Sequence, residues 1–244
     1  MSMPGPDVRT CFVGDSFVAG TGDPTALGWV GRVTAAAIAR GHRLTAYNLG
    51  VRGDTSQDVG DRLARELAPR LPSGARTGVV LSFGVNDTVL VDGRVRVTPA
   101  GTVEAFDRSY RTAGAAEVLL VGPPAVDDDT QNARLLGTSE ALREVARHRA
   151  VPFVDTFSGT VQSQVWRREV RDGDGYHPGA AGYEVLAGIV VGPFLAWLDQ
   201  RSSRGSTSAS ATRSRPVGPA RRAGRFPPVA NNGCRSQTGM DRTP

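Results

Sequence analysis

Five short runs, at residues 8–13, 44–49, 78–83, 117–122 and 151–155, are mostly apolar, rich in Val, Leu and Phe, and do not alternate strictly with polar residues. A strand with one solvated face alternates apolar and polar residues; a strand covered on both faces does not. Between these runs lie segments with helix signals. Residues 28–40 precede Gly41, a C-cap candidate, and residues 55–68 follow the polar N-cap candidates of Gly53-Asp54-Thr55-Ser56. Residues 99–114 open with Pro99 after Thr98, and residues 132–149 place apolar positions at helical spacing. Residues 179–198, after Pro178, are rich in Leu, Ile, Val, Phe and Trp, as a well-packed terminal helix would be. Strand and helix therefore alternate along the chain. That order predicts an α/β fold, a three-layer αβα sandwich around a five-stranded parallel sheet of flavodoxin-like type. No internal repeat is evident.

In such a sheet, chemistry collects beyond the carboxyl ends of the strands. Ser16 lies just past the first run, Asn48 to Gly53 past the second, and Gly84, Asn86 and Asp87 past the third. Asp174 and His177 follow the fifth after a linking segment. A serine hydroxyl needs a base to become a nucleophile. Of the three His residues, His42 and His148 read as surface positions, whereas His177 sits in the turn DGDGYHPG immediately before a helix. An imidazole base needs a carboxylate to hold its tautomer. Asp174, three residues before His177, suits that part better than Asp172, five before it. An oxyanion needs aimed donors. The Ser16 amide, the Gly53 amide on a residue without a side chain, and the Asn86 side-chain amide supply them.

Each piece alone has a plain structural reading as a cap, a turn glycine or a surface turn. Their joint presence, in order and at one sheet edge, points to a catalytic serine. The chain resembles the SGNH-type (GDSL-motif) esterases. FVGDSFVAG matches the first block and carries Ser16; NLGVRGDTS matches the second and carries Gly53. GVND carries Asn86, and DGYHP carries Asp174 and His177. The blocks span residues 11–178, and RGDTSQD is similar to the bacterial lysophospholipase, thioesterase and arylesterase branch. Phe17 replaces the Leu that the family often has after Gly-Asp-Ser. The resemblance implies the SGNH hydrolase fold and a serine esterase. In that reading Ser16, His177 and Asp174 are catalytic, and Ser16, Gly53 and Asn86 form the oxyanion hole. It implies a small-molecule ester substrate, no cofactor and no metal. A carbohydrate O-deacetylase, an acyl thioesterase and a non-catalytic binding protein on the same fold are the alternatives. An α/β-hydrolase elbow needs G-x-S-x-G, and Val18 stands at its final glycine. No P-loop or spaced G-x-G-x-x-G follows a strand, which argues against nucleotide binding.

Composition changes at Arg201. Of 29 Arg and 24 acidic residues, nine Arg and one acid lie in 201–244, which leaves 20 and 23, a net of −3, in 1–200. The sequence pI near 10.0 therefore belongs to the last segment. Rich in Arg, Ser, Pro and Gly, that segment reads as a disordered basic tail after a domain of residues 1–200, with no dedicated nucleic-acid partner expected. Cys11 and Cys234 suggest neither a disulfide framework nor a metal site. The opening MSMPGPDVRT has no basic region followed by an apolar stretch, and no apolar run looks long enough to span a membrane; a cytoplasmic protein is expected. Trp166, in the segment 155–173, either borders a substrate group or packs beneath that loop. Natural substrate and oligomeric state are left open.

Overall fold

The computed structural model describes residues 7–210. In chain order its strands are β1 (Val8–Gly14), β2 (Leu44–Gly50), β3 (Arg76–Ser82), β4 (Leu90–Val91), β5 (Arg94–Val95), β6 (Glu117–Val121) and β7 (Phe153–Val154). Its helices are α1 (Ser16–Ala19), α2 (Gly28–Ala39), α3 (Ser56–Leu67), α4 (Pro99–Ala113), α5 (Asp129–His148), α6 (Thr156–Gln162), α7 (Gln164–Asp172) and α8 (Ala180–Ser210). The central sheet has the order β2-β1-β3-β6-β7, and every pair in it is parallel. β4 and β5 form a separate antiparallel hairpin.

These mostly apolar strands send successive side chains to opposite faces, and both faces are covered. Phe12 of β1, Val80 of β3 and Leu119 of β6 join Trp29 and Val33 of α2 and Val190 and Phe194 of α8 in one core. The Phe12 ring lies 5.7 Å from Trp29 and 5.4 Å from Phe194. Cys11, Val13, Val79, Leu81 and Leu120 face the other way, onto Val59 and Leu63 of α3, Phe106 of α4 and Leu142 of α5. This is the expected three-layer α/β sandwich.

Strand β2 differs from the expectation of burial on both faces. It is the sheet's edge, and its residues are half-buried or exposed. The stretch Ala180–Gln200 is long and apolar enough by composition to cross a membrane, contrary to the sequence reading. Its apolarity has a local cause: Tyr183, Val190, Phe194 and Leu198 are buried in the core against α2 and the sheet. Helix α8 also continues to Ser210, past the boundary drawn at Arg201. Apart from that helical backbone, the expected disordered tail lies outside the described residues.

The strand order reverses direction at β1, between β2 and β3. At such a switch point the connections leave on opposite faces and open a crevice beyond the strand ends. There Gly14 of β1 is in register with Gly50 of β2 and with Ser82 of β3.

Candidate active site

Strand β1 ends at Gly14, and the chain turns at once into the short helix α1. Asp15 caps that helix by accepting the Phe17 amide at 3.0 Å, so Ser16 becomes its first residue. Ser16 itself is 5% exposed, more enclosed than a loop hydroxyl, but its Oγ reaches His177 Nε2 at 2.7 Å. The partners are 161 residues apart in sequence.

His177 is set by the turn between α7 and α8. Gly175 adopts φ +82°, a conformation that lets the chain double back without a Cβ clash. Asp174 Oδ1 accepts the amides of Tyr176 (3.0 Å) and His177 (2.8 Å), while Oδ2 meets His177 Nδ1 at 2.7 Å. Partial burial pushes the Asp174 carboxyl up. The bonds from the His177 ring, the His177 amide and the Tyr176 amide together outweigh that and hold it at about 2. The imidazole packs beside Phe17, with ring centroids 5.0 Å apart. Asp172 is exposed at the end of α7, and the contact to His177 Nδ1 belongs to Asp174. Of the other histidines, His148 is exposed as expected. His42 is more enclosed, its Nε2 3.4 Å from Asp199.

Gly53 lies in the turn between β2 and α3 with φ +81°. A Cβ there would meet open space, so the need for glycine is conformational, not the close approach inferred from its missing side chain. Among the described residues, neither the Ser16 nor the Gly53 amide donates to a backbone partner. Asn86 opens a 3₁₀ turn, Asn86–Thr88, after β3. Its Nδ2 donates to the Asp54 carbonyl at 2.9 Å, which fixes the amide and leaves its second N–H available. Ser16, Gly53, Asn86 and His177 line one cleft of about 320 Å³, with Phe17, Arg52, Val85, Val89 and Tyr176 as its other walls. A larger hollow of about 470 Å³ opens at the opposite sheet edge, near Arg76 and Glu117, but its lining contains no His to activate a serine.

Two supporting residues had no role in the sequence reading. Asp87 is fully buried; it accepts the Ser56 amide at 2.7 Å and the Thr102 hydroxyl at 2.6 Å, which ties the Asn86 turn to the starts of α3 and α4. An acid shortly after a strand that reads as buried was the available signal. Asp15 is also buried; burial, with the Asp87 and Asp54 charges adding and the Phe17 amide opposing, pushes its carboxyl up to about 7. Trp166 is 1% exposed and donates from its indole N–H to the Ala125 carbonyl at 2.9 Å, so it packs under the loop and does not border the cleft.

A serine, a histidine and an aspartate in a hydrogen-bonded row, with Gly53 and Asn86 lining the same cleft as the serine and histidine, is an arrangement suited to acyl transfer. Known proteins agree with that reading. Residues 12–185 match the model of the GDSL-like lipase/acylhydrolase family. A GDSL lipase of Mycobacterium tuberculosis is 30% identical over 186 residues, covering 72% of this chain and 76% of that one. The crystal structure of a lipase/acylhydrolase from Enterococcus faecalis superposes with a TM-score of 0.65 at 26% identity, over 77% of this chain and 95% of that one. An acetylxylan esterase from Geobacillus stearothermophilus shares the fold, with a TM-score of 0.59 at 18% identity, over 77% of this chain and 94% of that one. The chain therefore belongs to the GDSL-like lipase/acylhydrolase family and is an ester-bond hydrolase.

Proposed function

We propose that the chain cleaves carboxylic esters by nucleophilic catalysis at Ser16. His177 Nε2 takes the Ser16 proton as Oγ attacks the ester carbonyl carbon. The resulting oxyanion receives the Ser16 amide, the Gly53 amide and the free N–H of Asn86. His177 returns the proton to the departing alcohol, leaving an acyl group on Ser16. Water then loses a proton to His177 and attacks the acyl carbon; the bond to Ser16 Oγ breaks, His177 returns that proton to Oγ, and the carboxylic acid leaves with serine and neutral imidazole restored. Asp174 keeps the His177 Nδ1 proton in place and stabilises the imidazolium at both steps. The observation that carries this reading is the pair of 2.7 Å contacts that joins Ser16, His177 and Asp174 in one row.

The cleft volume of about 320 Å³ lies near the lower end of small-molecule sites, roughly 300–1,000 Å³. A short acyl or aryl group beside Phe17, Val85 and Val89 fits it better than a long chain. The test is a panel of nitrophenyl esters of rising acyl length, acetylated sugars and acyl-CoA, run on wild type and Ser16→Ala. Turnover of short esters that disappears in the variant supports the reading. Equal turnover in both proteins overturns it.

A further inference from the structure

Arg62 lies on α3, outside every block that carries the chemistry, and only 15% of its side chain is exposed. Its guanidinium nevertheless reaches the sheet edge in three directions. Nη2 donates to the Gly14 carbonyl and to the Leu49 carbonyl, each at 2.9 Å. Nε donates to Asp54 Oδ2 at 2.7 Å. Gly14 ends β1 two residues before Ser16. Leu49 is the next-to-last residue of β2, ahead of the Gly53 turn. Asp54 adjoins Gly53, and its carbonyl is the acceptor that fixes Asn86 Nδ2 at 2.9 Å.

We infer that Arg62 is a positioning residue that holds the three oxyanion donors in register with one another. The inference rests on the hydrolase reading above. The Ser16, Gly53 and Asn86 donors follow three different strands, and no direct hydrogen bond joins Ser16 to either of the others among the described residues. The sheet ladder and the bond from the Val51 amide to the Gly14 carbonyl at 3.0 Å already hold β1 against β2. The single planar cation adds the tie from those strand ends to Asp54, and so to the turn that carries the Gly53 amide and the acceptor of Asn86. Only a guanidinium offers donors in a fixed fork; a lysine ammonium is a point charge with no such geometry. Arg62 touches neither substrate nor nucleophile and moves no proton.

The experiment measures kcat, KM and melting temperature for Arg62→Met, Arg62→Lys and Asp54→Asn with a short nitrophenyl ester. Arg62→Met and Asn86→Ala are also combined in a double-mutant cycle. A misplacement of about 1 Å can cost ~10²-fold in rate, so kcat of Arg62→Met is expected to fall by about that factor while KM moves much less. Arg62→Lys recovers only part of the loss, and Asp54→Asn, which keeps its carbonyl for Asn86, falls in the same direction. In the cycle, losing Arg62 costs much less once Asn86 is gone, because both changes spoil the same oxyanion contact. Wild-type kcat in folded Arg62→Met, or fully additive losses in the cycle, would overturn the inference. Should Arg62→Met not fold, wild-type kcat in both Arg62→Lys and Asp54→Asn overturns it equally. A wild-type chain inert toward every ester overturns the hydrolase reading instead, so the two failures are told apart.

Discussion

Asp174 uses one carboxylate for two purposes: Oδ1 shapes the turn and Oδ2 holds the ring of His177, the proposed base. Asp174→Asn should therefore lose rate steeply, by ~10² or more, in the range that general acid–base groups contribute, whereas Asp172→Asn should stay near wild type. Steady-state kcat on a nitrophenyl ester separates them, and a worse Asp172 variant would reassign the acid. The acid side of stability follows from the same bonds. A carboxyl held at about 2, below its ordinary 3.8, adds stability that is complete above the ordinary value and is lost as pH falls through about 2. Acid unfolding of Asp174→Asn should be flatter than wild type between those two values. At the oxyanion, loss of one donor in Asn86→Ala should lower kcat by ~10²–10³ with a smaller change in KM. Gly53→Ala meets open space, so its penalty is the positive φ, about 1–2 kcal/mol. It should appear as a lower kcat in a protein that still folds.

At the scale of elements, α1 is four residues long and depends on its cap. Burial leaves the Asp15 carboxyl at about 7 in the fold against 3.8 ordinarily. The folded state then binds a proton that the unfolded chain has released, so stability falls as pH rises from about 4 to about 7. Asp15→Asn keeps an accepting cap and removes the titration. Its melting temperature should lose that downward slope, and an unchanged slope would place the titration elsewhere. The long elements were legible because periodicity and caps agree over many residues. Thr55 and Asp58 form a reciprocal capping box at α3, and Thr98 caps α4 just before Pro99. Helices α1, α6 and α7 and the β4–β5 hairpin, with strands of two residues, are too short for a pattern to stand out. The candidate triad and oxyanion residues could be singled out for a different reason: residue types that carry chemistry follow the strands in a fixed order. Arg62 and Asp87 were not, because their partners include main-chain groups 31 to 48 residues away, which only the closed sheet brings near.

Across the whole molecule, the site sits where the sheet changes direction, and its residues run from Ser16 to His177. The triad, the oxyanion donors and every buried hydrophobic among the described residues lie at or before Leu198. Ending the chain after Ser210 removes seven Arg and one Asp, which moves the net charge from +5 to −1. The shortened protein should keep its kcat and its melting temperature. Calorimetry and steady-state kinetics on both lengths check this, and a drop of several degrees would mean that residues after Ser210 contribute to the stability of the fold. Any attachment of the full-length protein to anionic vesicles should weaken with added salt and vanish on truncation, since it would rest on screened surface charge.

The central claim is that Ser16 Oγ, activated by His177, is the group that bonds to the acyl carbon. Incubation with a serine-reactive phosphonate ester, followed by mass spectrometry of the digested chain, tests it at the atom concerned. The expected result is one adduct per chain, on the peptide that contains Ser16, with hydrolysis lost in step with labelling and no adduct in Ser16→Ala or His177→Ala. An adduct on a different residue, or hydrolysis that continues in fully labelled protein, would contradict the account.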